Sequence, residues 1–263
     1  MVLPPEFDTL KTTLEGAVLH VEFNRPDRLN ALSHRLLTEV VELCARLRSE
    51  RDIRVVVVSG AGRAFSAGFD LDDFTSTVAG ESPRDGADLG RMATEALTDV
   101  PQLTIAAVHG HCVGGGLVLV GACDLRIVEE GTRFSIPEVD LGIPLAWGGL
   151  PRLVREIGPA LTKELVLTCR PFGADEAKSI GFVNEVVANG MAVSRAKEMA
   201  VGLAEKPLYA LRTTKQQVNA LMEEMVGTGR SAADADALVY ALRDPESRSA
   251  SAKYLASRTV RRT

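Results

Sequence analysis

Cysteine is scarce in this chain: Cys44, Cys112, Cys123 and Cys169 are the only four in 263 residues, and no two of them form a CxxC pair. A disulfide framework or a zinc site is therefore not expected, and the four read as small buried hydrophobes. Four histidines are present without an HExxH pattern, so no metal site is expected from them either. Long apolar runs are missing too. The longest, Cys112 to Cys123, has 12 residues and includes four glycines, too short to span a bilayer. Positive charge is not in excess, because 30 Lys+Arg stand against 35 Asp+Glu. A nucleic-acid partner is not expected, since phosphate contacts need concentrated positive charge, although a local basic pocket is compatible with this balance. The opening MVLPPEFDTLK has neither a basic nor an apolar leader segment, and the expectation is a cytoplasmic protein.

What is present is an ordinary globular composition, 46% hydrophobic and 25% charged, enough to build one large core. Residues 16–23, GAVLHVEF, alternate like a strand, and Ser33 is placed to cap an amphipathic helix running to about Arg48. Residues 53–59 and 104–110 read as strands buried on both faces, and 124–130 and 182–187 as two more. Residues 76–86 read as a surface loop, followed by a helix from Ala87 to Asp99. Helices are expected over 117–122, 149–157, 159–168 and 174–179. From Ala192 onward only helices are credible, interrupted at Pro207 and Pro245. The reading is an α/β core over 1–190 and a helical region over 191–263. The apolar residues of that region, among them Leu211, Val218, Leu221 and Leu238, must bury against the core or a neighbouring subunit.

Two glycine-containing loops follow buried strands: Phe65-Ser66-Ala67-Gly68-Phe69-Asp70 and His109-Gly110-His111-Cys112-Val113-Gly114-Gly115-Gly116. The second is not a nucleotide loop, because Gly116-Leu117 stands where Lys-Ser/Thr is required. Ser66 is not a nucleophile elbow, because Ala64 replaces the first glycine. Three successive glycines opening a helix leave backbone N–H groups bare, able to hold an anion or a developing oxyanion, or serving only as a tight turn.

The order FSAGFDL, HGHCVGGG, CDLRI and PEVDLGIPLAWGG, preceded by Asn24-Arg25-Pro26 and Asn30-Ala31-Leu32 and closed by FVNEVV, resembles the enoyl-CoA hydratase/isomerase (crotonase) family. The resemblance implies a spiral of ββα units with a helical C-terminal region that drives assembly into homotrimers or hexamers. It implies an acyl-CoA thioester substrate, with coenzyme A as part of the substrate and no separate cofactor. The oxyanion-hole amides would be those of Phe69 and Gly115, with Gly114 beside them. Arg28, Leu29 and Ala31, together with Ser66, Ala67, Gly68, Asp70 and Leu71, would cradle the CoA moiety.

The catalytic positions depart from the hydratase pattern. Of the two glutamates that the resemblance implies for a hydratase, the second matches Glu138 and the first falls at Val118. The aspartate position of the family's dienoyl isomerases falls at Ala146. One acid suffices to move a double bond: it removes a proton from C2 and returns it at C4 while the oxyanion hole holds the dienolate. The expected activity is therefore Δ3 to Δ2 isomerisation of an enoyl-CoA in fatty-acid-type β-oxidation. Hydration of a 2-enoyl-CoA and acyl-CoA binding with little catalysis are the alternatives. Asp140, His109 and His111 are weaker substitutes for the missing acid. Trp147 falls in the segment that would line the acyl pocket, where it shapes the pocket or simply packs. Asp234 and Asp236 are expected to face solvent.

Overall fold

The structure is a computed structural model that describes residues 7–73 and 83–260. Its largest element is a six-stranded sheet in the order β1 (Leu10–Glu15), β2 (Val18–Phe23), β3 (Val55–Gly60), β4 (Leu103–Val108), β6 (Leu125–Glu129) and β9 (Glu185–Val187). The β1–β2 pair is antiparallel and the other pairs are parallel. Strand β3 shows why the sheet lies at the centre. Its four valines are all buried, and period-two alternation sends Val56 and Val58 into one core and Val55 and Val57 into the other.

A second sheet of three short strands, β5 (His111–Val113), β7 (Arg133–Ser135) and β8 (Phe172–Gly173), lies beside the first. The chain enters it immediately after β4 and after β6. From β5 it passes straight into helix α3 (Gly115–Ala122). Strand, turn, short strand and helix form the repeating step of a spiral. Ser66 pairs with Cys112 as an isolated parallel bridge, which ties the loop after β3 to the same short sheet.

Helix α1 (His34–Leu47) is capped by Ser33, whose Oγ accepts the Leu36 N–H at 3.2 Å, as its position predicts. Helix α2 (Pro83–Asp99) begins four residues before the expected Ala87. The expected loop over 76–86 is thus helical from residue 83, and its part over 76–82 lies outside the described residues. Helices α4 (Gly149–Ile157), α5 (Pro159–Thr168) and α6 (Ala174–Ser179) follow. The expected strands 16–23, 53–59, 104–110, 124–130 and 182–187 are each shifted or shorter in the structure, and β1, β5, β7 and β8 are additional strands. Gly16, at φ 59°, makes the turn that separates β1 from β2.

The C-terminal helices divide by role. Helix α7 (Ala192–Ala204) lays Ala192, Ala196 and Ala200 on the second face of the sheet. Small residues at i, i+4 and i+8 make one stripe that lets the helix approach closely. Helix α8 (Leu208–Met225) buries only Lys215, whose Nζ donates to Asp124 Oδ2 and to the Gln102 carbonyl, both at 2.8 Å. Helix α9 (Asp234–Ala241) sets Leu238 against Ala87 of α2. Helix α10 (Pro245–Val260) is tied to the loop after residue 138 by Ser251 Oγ, which donates to the Leu141 carbonyl. Among the described residues no helix is long and apolar enough to cross a membrane.

Candidate active site

The two glycine-containing loops are brought edge to edge by backbone pairing. Ser66 N–H donates to the His111 carbonyl and Val113 N–H to the Ser66 carbonyl, each at 3.0 Å. A Cβ on Gly116 would stand 2.8 Å from Ser66 Cβ, and one on Gly68 would stand 3.0 Å from the Val113 carbonyl oxygen. Only glycine permits this approach, and at Gly68 and Gly114 it also supplies φ of 89° and 50°. Phe69 and Gly115 consequently line one cavity, with Val118, Glu138, Leu145, Ala146, Trp147 and Leu238 among the other walls. Gly115 is the first residue of α3, so its N–H belongs to the group that has no intrahelical acceptor.

Glu138 follows β7 and opens a turn in which its carbonyl accepts the Ile143 N–H at 3.0 Å. Its carboxyl rests on Gly114, where a Cβ would lie 2.4 Å from Oε1. Oε2 is buried and has no hydrogen-bond partner among the described residues. Removal from water without a compensating cation destabilises the ionised form and lifts the Glu138 pKa to about 7. Among the described residues, Glu138 is the single titratable residue lining this cavity. Val118 lines the same cavity, 2% exposed. Ala146 also reaches the lining, so neither of the two alternative acid positions carries an acid.

Trp147 lines the same cavity, and its ring meets Phe69 edge-on at 5.5 Å. Asp140 is exposed and borders a separate outer groove with Glu246 and Lys253. His109 Nε2 lies 3.0 Å from the Gly62 carbonyl, His111 is exposed, and neither lines the cavity. One expectation is corrected. Asp234 does not face solvent, because it is half-buried and its Oδ2 accepts the Gly148 N–H at 2.9 Å. Asp236 is exposed and pairs with Arg84.

The loop proposed to cradle CoA is built from reciprocal bonds between residues 25–31 and 61–70. Asn30 Nδ2 donates to the Ala61 and Ala64 carbonyls, each at 2.8 Å, and Ala67 N–H donates to the Leu29 carbonyl. Leu29 and Asn30 adopt left-handed backbone, at φ 49° and 52°. Ser66 is fully buried, its Oγ donating to the Asn30 carbonyl at 2.9 Å, so its groups are spent on stitching the loop. Asp70 is likewise buried and accepts from Arg25, Arg28 and the Asp72 N–H. These partners outweigh burial and hold its pKa below the usual value. Arg28 keeps an exposed flank and also pairs with Asp72. Leu29, Ala31, Ala67 and Leu71 are partly accessible around it.

The fold is of the crotonase type, and the comparisons with known proteins agree. The family model described as Enoyl-CoA hydratase/isomerase matches residues 13–261. This chain belongs to the enoyl-CoA hydratase/isomerase family. It is 35% identical over 210 residues to a short-chain-enoyl-CoA hydratase of Clostridium acetobutylicum, covering 80% of each chain. It is 37% identical over 216 residues to the mouse mitochondrial Delta(3,5)-Delta(2,4)-dienoyl-CoA isomerase, covering 78% of this chain and 66% of that protein. The crystal structure of an enoyl-CoA hydratase/isomerase from Mycobacterium paratuberculosis superposes with a TM-score of 0.87 at 28% identity, over 93% of this chain and 98% of that one.

Proposed function

We propose that the protein is an enoyl-CoA isomerase that converts a 3-enoyl-CoA to the conjugated 2-enoyl-CoA with Glu138 as its one proton shuttle. The observation that carries this reading is the composition of the cavity wall, where, among the described residues, one buried carboxyl stands amid aliphatic and aromatic side chains. In the reaction the Glu138 carboxylate takes a proton from C2. The electron pair moves to the thioester oxygen, which the Phe69 and Gly115 amides stabilise as charge develops. The protonated Glu138 then returns the proton at C4, leaving the double bond between C2 and C3. No atom is gained or lost, and no cofactor is needed beyond the CoA carried by the substrate. A carboxyl with a pKa of about 7 suits both halves of this cycle, because it gives up and accepts a proton near neutrality.

The loops around residues 28–31 and 66–71 hold the CoA moiety in this reading, largely through backbone groups. The exposed Val218, Leu221 and Met225 of α8 are an apolar face suited to a homotrimer or a hexamer of paired trimers. Hydration is the second reading, favoured by the similarity to the Clostridium hydratase. The two are separated by supplying 3-enoyl-CoA and 2-enoyl-CoA in turn and following the conjugated-thioester absorbance. The isomerase reading expects a rise with the first substrate and little change with the second. Wild-type hydration at rates ordinary for enzymes, on the order of 10 s⁻¹, overturns it. Absence of both activities with retained acyl-CoA binding supports a binding protein instead.

A further inference from the structure

Trp147 is the only tryptophan in the chain, and its surroundings are built around the ring. Its backbone lies in the left-handed region, at φ 62°, which is unusual for a bulky residue and persists only where the surroundings over-determine it. Three helices do so. The Trp147 carbonyl accepts from Thr94 Oγ1 of α2 at 2.9 Å and from Arg152 Nη1 of α4 at 3.4 Å. The next peptide N–H, that of Gly148, donates to Asp234 of α9. Arg152 Nη1 also donates to the Gly148 carbonyl at 3.1 Å.

The indole aimed by these bonds fills the space beside two glycines on two different helices. A Cβ on Gly90 would fall 1.9 Å from Cε2, and one on Gly115 would fall 2.2 Å from Cζ3. The ring therefore abuts the residue whose amide is assigned to the oxyanion hole, and it shares the cavity wall with Glu138. What it leaves open is a cavity of about 50 Å³. A single water needs roughly 10–15 Å³, so the space beside the ring is small.

We propose that Trp147 sets the length of the acyl group, restricting the substrate to short acyl-CoA thioesters, with the Thr94, Arg152 and Asp234 contacts fixing the ring in place. The proposal rests on the reading of this cavity as the acyl site. Removing the indole joins the space beside Gly90 to the cavity and gives a longer chain somewhere to lie.

The test uses two saturated, unreactive ligands, butanoyl-CoA and decanoyl-CoA, with free CoA as reference. Calorimetry gives affinities, and the emission of the sole tryptophan reports directly on the cavity. Wild type is expected to bind butanoyl-CoA roughly tenfold or more tighter than decanoyl-CoA, with a change in Trp147 emission that free CoA does not produce. Trp147→Ala is expected to raise decanoyl-CoA affinity by about tenfold or more without improving butanoyl-CoA binding. Trp147→Phe keeps a smaller ring, and an intermediate gain is expected if the alanine variant does not fold. Equal wild-type affinity for the two ligands overturns the length restriction while leaving the acyl site standing. Binding of both no tighter than free CoA overturns the acyl site itself, and the length proposal with it.

Discussion

Two positions twenty residues apart, Val118 and Glu138, face the same cavity with opposite chemistry. The Glu138 side carries the only titratable group among the described residues, a carboxyl that lies on Gly114 beside the bare helix start at Gly115 and leaves one oxygen unpartnered. The Val118 side is aliphatic, and its neighbours Leu145 and Gly149 are in close contact: a Cβ on Gly149 would lie 2.9 Å from both the valine and the leucine. The difference teaches where protons can move. One wall can bind and release a proton and receive negative charge, and the other can do neither. A dry wall suits a dienolate that must be reprotonated by the enzyme rather than meet a competing water.

The largest effect is expected from erasing the polar wall. Glu138→Gln keeps the shape and removes the base, and it should lower the isomerase rate by roughly 10²–10⁴-fold, the usual contribution of such a group. Acyl-CoA should still bind, and calorimetry beside the rate assay checks both. Gly115→Ala attacks the same wall from the other side. Its new Cβ must displace the Trp147 ring, which lies 2.2 Å from it. Loss of a well-placed oxyanion donor costs on the order of 10²–10³ in rate, and here acyl-CoA binding should weaken as well. Unchanged binding and turnover would reduce the glycine run to a tight turn.

A smaller effect is expected from pH. Glu138 acts as a base only when ionised, so the rate should rise as pH increases through about 7. Stability should move the other way. The folded-state pKa lies above the unfolded value near 4.5, so the native state binds the proton more tightly. Stability is therefore fully present below about 4.5 and is lost as pH rises toward 7. A shift of that size corresponds to on the order of 3 kcal/mol. Glu138→Gln has no such titration. Urea unfolding of both proteins at pH 5 and pH 8 should show the variant gaining on the wild type at the higher pH.

Much of this contrast was legible in the residues. The run VVVVSG announces a strand buried on both faces, and Ser33 announces a helix start, because both signals are local. The glycine run and Glu138 could be placed by their order along the chain. The short strands β5, β7 and β8 could not, since two or three residues are too few to show a period. Nothing in Ala-Asp-Ala-Asp-Ala-Leu says that Asp234 turns inward, because its acceptor role is fixed by Gly148, far away in sequence. The left-handed backbone of Trp147 was equally hidden. Neither tryptophan nor its neighbour Ala146 favours that conformation, and contacts from three other helices impose it.

The smallest expected change is a gained activity, and it tests the comparison most sharply. Val118→Glu places a second carboxyl on the dry wall. The position is 2% exposed and shares its cavity with Glu138. Desolvation and a nearby like charge both raise the pKa of the new group above the model-peptide value of about 4.3, which makes it a proton donor near neutrality. With one acid and one base across the double bond, a water can be activated at one carbon while a proton reaches the other. The variant should show measurable hydration of a short 2-enoyl-CoA where the wild type shows little. It should also unfold at lower urea than the wild type, because a carboxyl has replaced packed methyl groups. Robust hydration by the wild type, matched by the variant, would mean that another group supplies the second acid, with Asp140→Asn and His111→Ala the variants to compare, whereas no hydration by either protein would overturn the expected gain.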